Sequence, residues 1–255
     1  MTDFPNKNIS MKSIKIFLVL GLFLSCITKD INAQQPTNTT QILDSRQQAI
    51  VRISSYTAKG DLEKLQKPLN DGLDAGLTIN EIREVLVHLY AYCGFPRSIR
   101  GLQTFMQVLN ERKARGITDV KGSEPSPIKS GTSKYERGKK VLGELTKSPQ
   151  HGPLTGYSAF APVIDSFLKE HLFADIFERD VLTYAERELV TIAVISTIGN
   201  ADPMLQGHLS ISLNVGLTPA QLQQFVSIIK TTAGKKEAKA AQKVLNAVLK
   251  TRQSR

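Results

Sequence analysis

One pattern occurs twice in this 255-residue chain, at a separation of 140 residues. Residues 74–78, with the sequence DAGLT, correspond to residues 214–218, with the sequence NVGLT. In each copy the glycine can end one helix in the left-handed conformation, and the threonine can cap the next helix. The match therefore predicts two diverged copies of one helical hairpin. The flanking apolar residues pair at the same offset: Leu65 with Leu205, Leu69 with Leu209, Leu73 with Leu213, Ile82 with Leu222, Val85 with Phe225 and Leu89 with Ile229.

Apolar residues recur at helical spacing over most of the remaining chain. The period runs from residue 41 to 112 and returns from 161 to 249, with no competing strand alternation. Residues 113–153 instead contain many glycines and prolines, with one short helix expected near Tyr135–Leu145. We therefore expect an all-α fold. Its parts are a first repeat over 34–112, a Gly/Pro-rich linker over 113–159, and a second repeat over 160–255 that ends in a basic helix.

Residues 1–33 have the features of an export signal. A short basic stretch precedes an apolar run from Ile16 to Leu24, which is too short to span a bilayer permanently. Cleavage is expected before Gln34, and a translation start at Met11 would leave the first ten residues as an upstream extension. Cys26 supports an alternative in which lipoprotein processing anchors the chain to a membrane. The sequence thus predicts a secreted or periplasmic protein, with a lipid-anchored form as the alternative.

Cysteine content and charge restrict the possible functions. The chain has two cysteines, and loss of Cys26 with the signal leaves Cys93 alone, so no intrachain disulfide is expected. The net charge is +10, and much of the excess lies in residues 235–255. Because no aromatic residues alternate with these charges, we interpret them as a solvated helix face and expect no nucleic-acid partner. No phosphate loop or dinucleotide fingerprint occurs, so no cofactor is expected.

Several short motifs lie on the predicted helices. They are RELVTIA at 187–193, LQGHL at 205–209, EIREVL at 81–86, YAYCGFP at 90–96 and EHLFADIF at 170–177. Together they resemble the carboxymuconolactone decarboxylase family, within the alkylhydroperoxidase D-like superfamily. The resemblance implies a helical domain that forms trimers or hexameric rings, a small-molecule substrate, and a pocket between subunits or repeats. A tandem chain would suit a pseudo-hexameric trimer.

The same superfamily includes peroxidases, in which a Cys-x-x-Cys pair precedes the helix histidine. Here Ala201 and Met204 occupy the two cysteine positions before His208, and Pro68 occupies the histidine position of the first repeat. Without paired thiols, a peroxidase lacks both its nucleophile and its resolving partner. Peroxidase-type antioxidant activity is therefore disfavoured.

His208 is the strongest catalytic candidate under this resemblance. Loss of carbon dioxide from a lactone acid spreads negative charge into the lactone carbonyl, and an imidazole can donate a hydrogen bond and then a proton. We expect Glu188 to orient His208, and Arg187 or Arg97 to hold a substrate carboxylate. Tyr92 is a candidate for the pocket lining. The competing interpretation is a partly buried helix histidine beside charges that stabilise a helix start.

Other residues support weaker hypotheses. Cys93 is either a reactive thiol or an apolar filler, and filler is favoured. A redox enzyme that relied on Cys93 would form a sulfenic acid and need an external thiol. His88 and His171 lack a second ligand at the spacing of a helical zinc site, so no metal site is expected. A non-catalytic binding or oligomerisation module is the remaining alternative, because Pro68 makes the first repeat degenerate.

Overall fold

The computed structural model describes residues 42–128 and 131–254. Over these two ranges the chain forms eleven α-helices and one π-helix and contains no strand, which confirms the predicted all-α fold. The helices are α1 Ser45–Lys59, α2 Leu62–Asp74, α3 Ile79–His88, α4 Tyr90–Ala114, α5 Lys134–Thr146, α6 Gly156–Phe160, α7 Pro162–Ser166, the π-helix Phe167–Ile176, α8 Tyr184–Ile198, α9 Asp202–Asn214, α10 Pro219–Thr232 and α11 Lys235–Gln253.

The two Gly-Leu-Thr corners have the local structure that their sequences predict. Gly76 has φ +89° and Gly216 has φ +101°, so the backbone at both corners lies in the left-handed region that favours glycine. Thr78 and Thr218 then cap α3 and α10 through their side-chain oxygens. Helices α2 and α9, which precede the corners, begin and end 140 residues apart.

Both halves contribute to one hydrophobic core. Helices α1 and α8 lie at its centre and pack against each other. In α8, every residue from Arg187 to Ser196 is buried, as expected of a helix enclosed on all sides. Helix α8 therefore positions polar side chains in the protein interior, where their charges need partners.

Helix α5 lies within the predicted linker, 113–159, and α6 begins in it and ends at Phe160. Helix α5 agrees with the helix expected near Tyr135–Leu145, and α6 was not expected. Helix α5 packs closely on the π-helix, because a methyl group at Gly138 would lie only 1.7 Å from the carbonyl oxygen of Lys169. This close approach requires glycine. It brings the π-helix against α5 in a second apolar cluster that includes Val141, Leu172 and Phe173.

The predicted export signal, its cleavage before Gln34 and the lipoprotein alternative at Cys26 all lie outside the described residues. Of the helices within the described ranges, none combines the length and apolar character that a bilayer crossing requires.

Candidate functional site

A cavity of about 590 Å³ lies along α9 and the π-helix. Its walls are mostly apolar, and its ionisable lining residues are Tyr92, Tyr157, Asp165, Lys169 and His208. An apolar hollow with a few polar groups is typical of a small-molecule site. The apolar lining comprises Ala91, Leu142, Leu168, Leu172, Phe173, Ile195, Ile198, Ala201, Pro203, Met204, Gly207 and Ile211.

The structure brings together the predicted pair of Glu188 and His208. The Nδ1 atom of His208 lies 3.0 Å from Oε2 of Glu188. The Glu188 side chain is fully buried, whereas that of His208 remains 15% exposed. An ionised carboxylate can only accept hydrogen bonds, so Nδ1 of His208 carries a proton and Nε2 is left for another partner. Glu188 thus fixes both the orientation and the tautomer of His208.

A hydrogen-bond chain connects α8 to Tyr92. Nη1 of Arg187 donates to Nδ1 of His88 at 3.1 Å, so Nε2 of His88 carries the proton of the neutral ring. This nitrogen lies 2.9 Å from Oγ1 of Thr191, and Thr191 in turn donates to the hydroxyl oxygen of Tyr92 at 3.1 Å. Each link has a fixed direction because arginine can only donate. The Tyr92 hydroxyl therefore accepts from Thr191 and keeps its own proton for a further acceptor.

The pKa values of this chain favour its neutral forms. Burial, with Arg187 and His208 nearby, lowers the pKa of His88 well below its usual value. Burial and the nearby Glu188 raise the pKa of Tyr92. At neutral pH, His88 is therefore an uncharged imidazole and Tyr92 a protonated phenol. The Tyr92 ring contacts the His208 ring edge-on, with centroids 6.0 Å apart. Both side chains line the same cavity.

The two predicted substrate-binding arginines lie elsewhere. Arg187 is fully buried and pairs with Glu84 at 2.8 Å, which also pairs with Arg179 at 2.8 Å. The guanidinium of Arg97 lies against Gly60. Neither Arg187 nor Arg97 is among the described residues that line the cavity. Arg187 is instead connected to the cavity-lining Tyr92 through the hydrogen-bond chain. Direct substrate contact by either arginine stays a prediction.

Lys169 and Asp165 form a polar group in the cavity wall that the sequence analysis missed. Nζ of Lys169 lies 2.8 Å and 2.7 Å from the two Asp165 oxygens and 3.1 Å from the Tyr135 hydroxyl. Both charged residues are more than nine-tenths buried. Their i,i+4 spacing is visible in the sequence, but such pairs are usually exposed. This pair is buried because α5, which carries Tyr135, packs against the π-helix. The Lys169–Asp165 pair can form hydrogen bonds with a molecule in the cavity while it adds little net charge to the wall.

Cys93 has the environment of a protonated thiol. Its Sγ donates to the Leu89 carbonyl oxygen at 3.3 Å, and burial raises the pKa of the thiol to about 11. At neutral pH the nucleophilic thiolate is therefore scarce. Ala201 and Met204, at the two positions that cysteines occupy in the peroxidases, both line the cavity beside His208. A redox role for Cys93 stays a prediction that this geometry does not favour.

Two other histidines, His88 and His171, have partners of their own. His88 is held by Arg187 and Thr191, and Nδ1 of His171 lies 3.2 Å from Asp175. Within residues 42–128 and 131–254, no cluster of three or more histidine, cysteine or acidic side chains is arranged to hold a metal ion.

Fold and site together define an all-helical protein with a histidine–glutamate pair at an apolar cavity. Residues 162–247 match the model of the carboxymuconolactone decarboxylase family. This segment contains Glu188, His208 and Lys169, whereas His88 and Tyr92 lie outside it. The chain is also 25% identical over 81 residues to an uncharacterized protein of Methanocaldococcus jannaschii, which covers 32% of this chain and 76% of the relative. The second half is thus similar to carboxymuconolactone decarboxylases.

Proposed function

We propose that this protein is a carboxymuconolactone decarboxylase-like enzyme that acts on a small carboxylated lactone or a related acid. The observation that carries the proposal is the convergence of His208, held by Glu188, with Tyr92 on one apolar cavity. The family match over residues 162–247 supports the same class of chemistry.

In the proposed reaction the bond between the substrate ring and its carboxylate carbon breaks. Carbon dioxide leaves, and the electron pair of that bond moves into the ring and onto the lactone carbonyl oxygen. His208, protonated on both nitrogens, then delivers the Nε2 proton to the ring carbon, and solvent restores that proton. Glu188 holds the ring through Nδ1, so that Nε2 is the nitrogen free to reach the substrate.

Tyr92 supplies the second catalytic contact in this proposal. Its protonated hydroxyl donates a hydrogen bond to the carbonyl oxygen on which negative charge develops. Thr191 occupies one lone pair of the Tyr92 oxygen and so directs the phenolic proton away from α8. Arg187, His88 and Thr191 are therefore positioning residues that act through Tyr92.

The cavity wall favours loss of the carboxylate. Among the described lining residues, Lys169 is the one permanent cation, and Asp165 neutralises it. A substrate carboxylate in this apolar space loses hydration without gaining a full ion pair with Lys169, whereas the developing carbon dioxide is neutral and loses little. The Lys169–Asp165 pair remains able to orient a hydroxyl or carbonyl group of the substrate.

The experiment is a carbon dioxide release assay with carboxymuconolactone as substrate. We expect His208→Asn to lower kcat/KM by about 10²-fold to 10⁴-fold, the usual contribution of a general acid. His151→Asn is the matched control, because His151 is exposed and lies outside this cavity. Equal activity of both variants, or no turnover by the wild-type protein, would refute the proposal.

We further propose that the two halves are an internal repeat. The equal bounds of α2 and α9, at a 140-residue offset, and the two equivalent glycine corners support this proposal. Superposition of experimentally determined coordinates of the two halves tests it. Unrelated helix directions in α1–α4 and α8–α11 would contradict it.

Assembly and export are further proposals. We propose a homo-oligomer, supported by large exposed apolar side chains close together in the chain, Tyr157, Phe160, Val163 and Phe167, since contiguous apolar surface commonly marks an interface. Light scattering that gave a monomer mass would contradict it. We also propose export with cleavage before Gln34, which N-terminal mass spectrometry of the secreted protein tests.

A further inference from the structure

A second cavity, of about 640 Å³, lies in the first half between α1 and α2. Helix α2 contributes four lining residues, Lys64, Lys67, Pro68 and Asp71. Each lies 140 residues before a residue that α9 contributes to the cavity containing His208, here called the His208 cavity. These residues of α9 are Met204, Gly207, His208 and Ile211. The cavity of α1 and α2, here called the basic cavity, thus lies beside the helix that corresponds to α9.

The basic cavity cannot perform the acid–base chemistry of its counterpart. Pro68 stands at the position of His208, and Gln48 stands at the position of Glu188. Neither proline nor glutamine exchanges a proton near neutral pH. The first half therefore has a cavity but lacks the histidine–glutamate pair at the corresponding positions. This arrangement favours binding over catalysis.

Three cations line the basic cavity, against one carboxylate, that of Asp71. Arg52 is half-buried on α1 and has no ion-pair or hydrogen-bond partner among the described residues. Lys67 pairs with Asp71 at 2.7 Å and Lys64 pairs with Asp61 at 2.9 Å, and both lysines are largely exposed. Exposed pairs of this kind contribute little stability, so either ammonium group can turn to a ligand at small cost.

The remaining lining suits the body of a small organic molecule. Ala49 and Pro68 are buried and apolar, and the Tyr56 ring lines the wall one helical turn after Arg52. A planar guanidinium binds an oxyanion through two parallel N–H groups, and an aromatic ring beside it packs against an apolar ligand body.

We propose that the basic cavity binds a small organic anion, with Arg52 holding its carboxylate or phosphate group and Lys64 and Lys67 closing over it. This site is separate from the His208 cavity. It binds its ligand whether or not the protein has decarboxylase activity.

The test is fluorine NMR of 4-fluorobenzoate titrated with the full protein at low ionic strength, with inorganic phosphate as a competitor. We expect saturable binding that Arg52→Gln weakens at least tenfold and Arg52→Lys weakens less, because lysine keeps the charge but loses the two-pronged contact. Lys243→Gln is the matched control, because Lys243 is exposed on α11 and lines neither cavity, and it should bind as the wild type does. Displacement by phosphate indicates that the site recognises the oxyanion alone, and failure to displace indicates a need for the apolar body.

A further variant separates the two cavities. His208→Asn should leave 4-fluorobenzoate binding unchanged. The proposal is overturned if the probe does not bind, if Arg52→Gln and Lys243→Gln behave alike, or if His208→Asn removes binding while Arg52→Gln does not. Thermal melting of Arg52→Gln verifies its fold, and the charge-preserving Arg52→Lys supplies a second measurement if the glutamine variant is unstable.

Discussion

Helices α2 and α9 have the same length and precede the same glycine corner, yet the cavities beside them differ in chemistry. The His208 cavity is mostly apolar, and its histidine is held by Glu188. The basic cavity instead has Pro68 on α2 and Gln48 on α1 at the corresponding positions. The two corresponding helices thus lie beside an imidazole–carboxylate pair in one half and beside three cationic side chains in the other. The comparison teaches that a few side chains, rather than the helices, determine what each half can do.

After His208→Asn, the largest effect is expected from Tyr92, the first-half residue that lines the His208 cavity. Tyr92→Phe removes the hydroxyl proton but keeps the ring, so we expect kcat/KM to fall by about 10²-fold to 10³-fold, as for loss of an oxyanion donor. Steady-state kinetics measures this change. Thr191→Val should produce a smaller loss because Tyr92 keeps its proton without the orienting contact. Full activity of Tyr92→Phe would confine the chemistry to residues 162–247.

Exchange of the two corresponding residues on α1 and α8 sharpens the comparison. Glu188→Gln removes the carboxylate that orients the His208 ring, and we expect kcat to fall by about 10-fold to 10²-fold. Gln48→Glu in the first half is the matched variant. It should leave kcat within about twofold, since Pro68 offers no imidazole to orient. Assays of the two variants across pH 5 to 9 test the difference, which equal losses would contradict.

The smallest effect concerns stability and His88, whose corresponding residue in the second half is Ile228. Because the pKa of His88 is lowered by burial, the unfolded chain binds a proton below about pH 6.5 that the native chain does not. The free energy of unfolding should therefore fall as the pH falls, by about 1.4 kcal/mol per pH unit, until the native-state pKa is reached.

Urea unfolding at several pH values measures this slope. His88→Gln should reduce it, and the exposed His151→Gln should leave it unchanged. If the slope is the same in all three proteins, the buried imidazole is not the origin of the acid sensitivity.

Much of the local structure was predictable, because it depends on neighbours in sequence. The corner at Gly76 and Thr78 follows from backbone sterics and side-chain capping within a few residues. The placement of His208 beside Glu188 was expected from the family resemblance, and the cavity beside them agrees with it. The pairing of Arg187 with Glu84 and His88 was not predictable from the sequence, because both partners come from the other half.

The sequence by itself determined the all-α fold, the two glycine corners and the presence of an imidazole at residue 208. Only the tertiary structure decided which charges are neutralised and which remain available. Lys169 closes onto Asp165 inside the wall of one cavity, whereas Arg52 faces the other without a described partner. The physical reason is that hydrogen-bond patterns of helices are local. Burial and ion pairing instead depend on which distant segments are brought together, and the free energy of a charge depends on both.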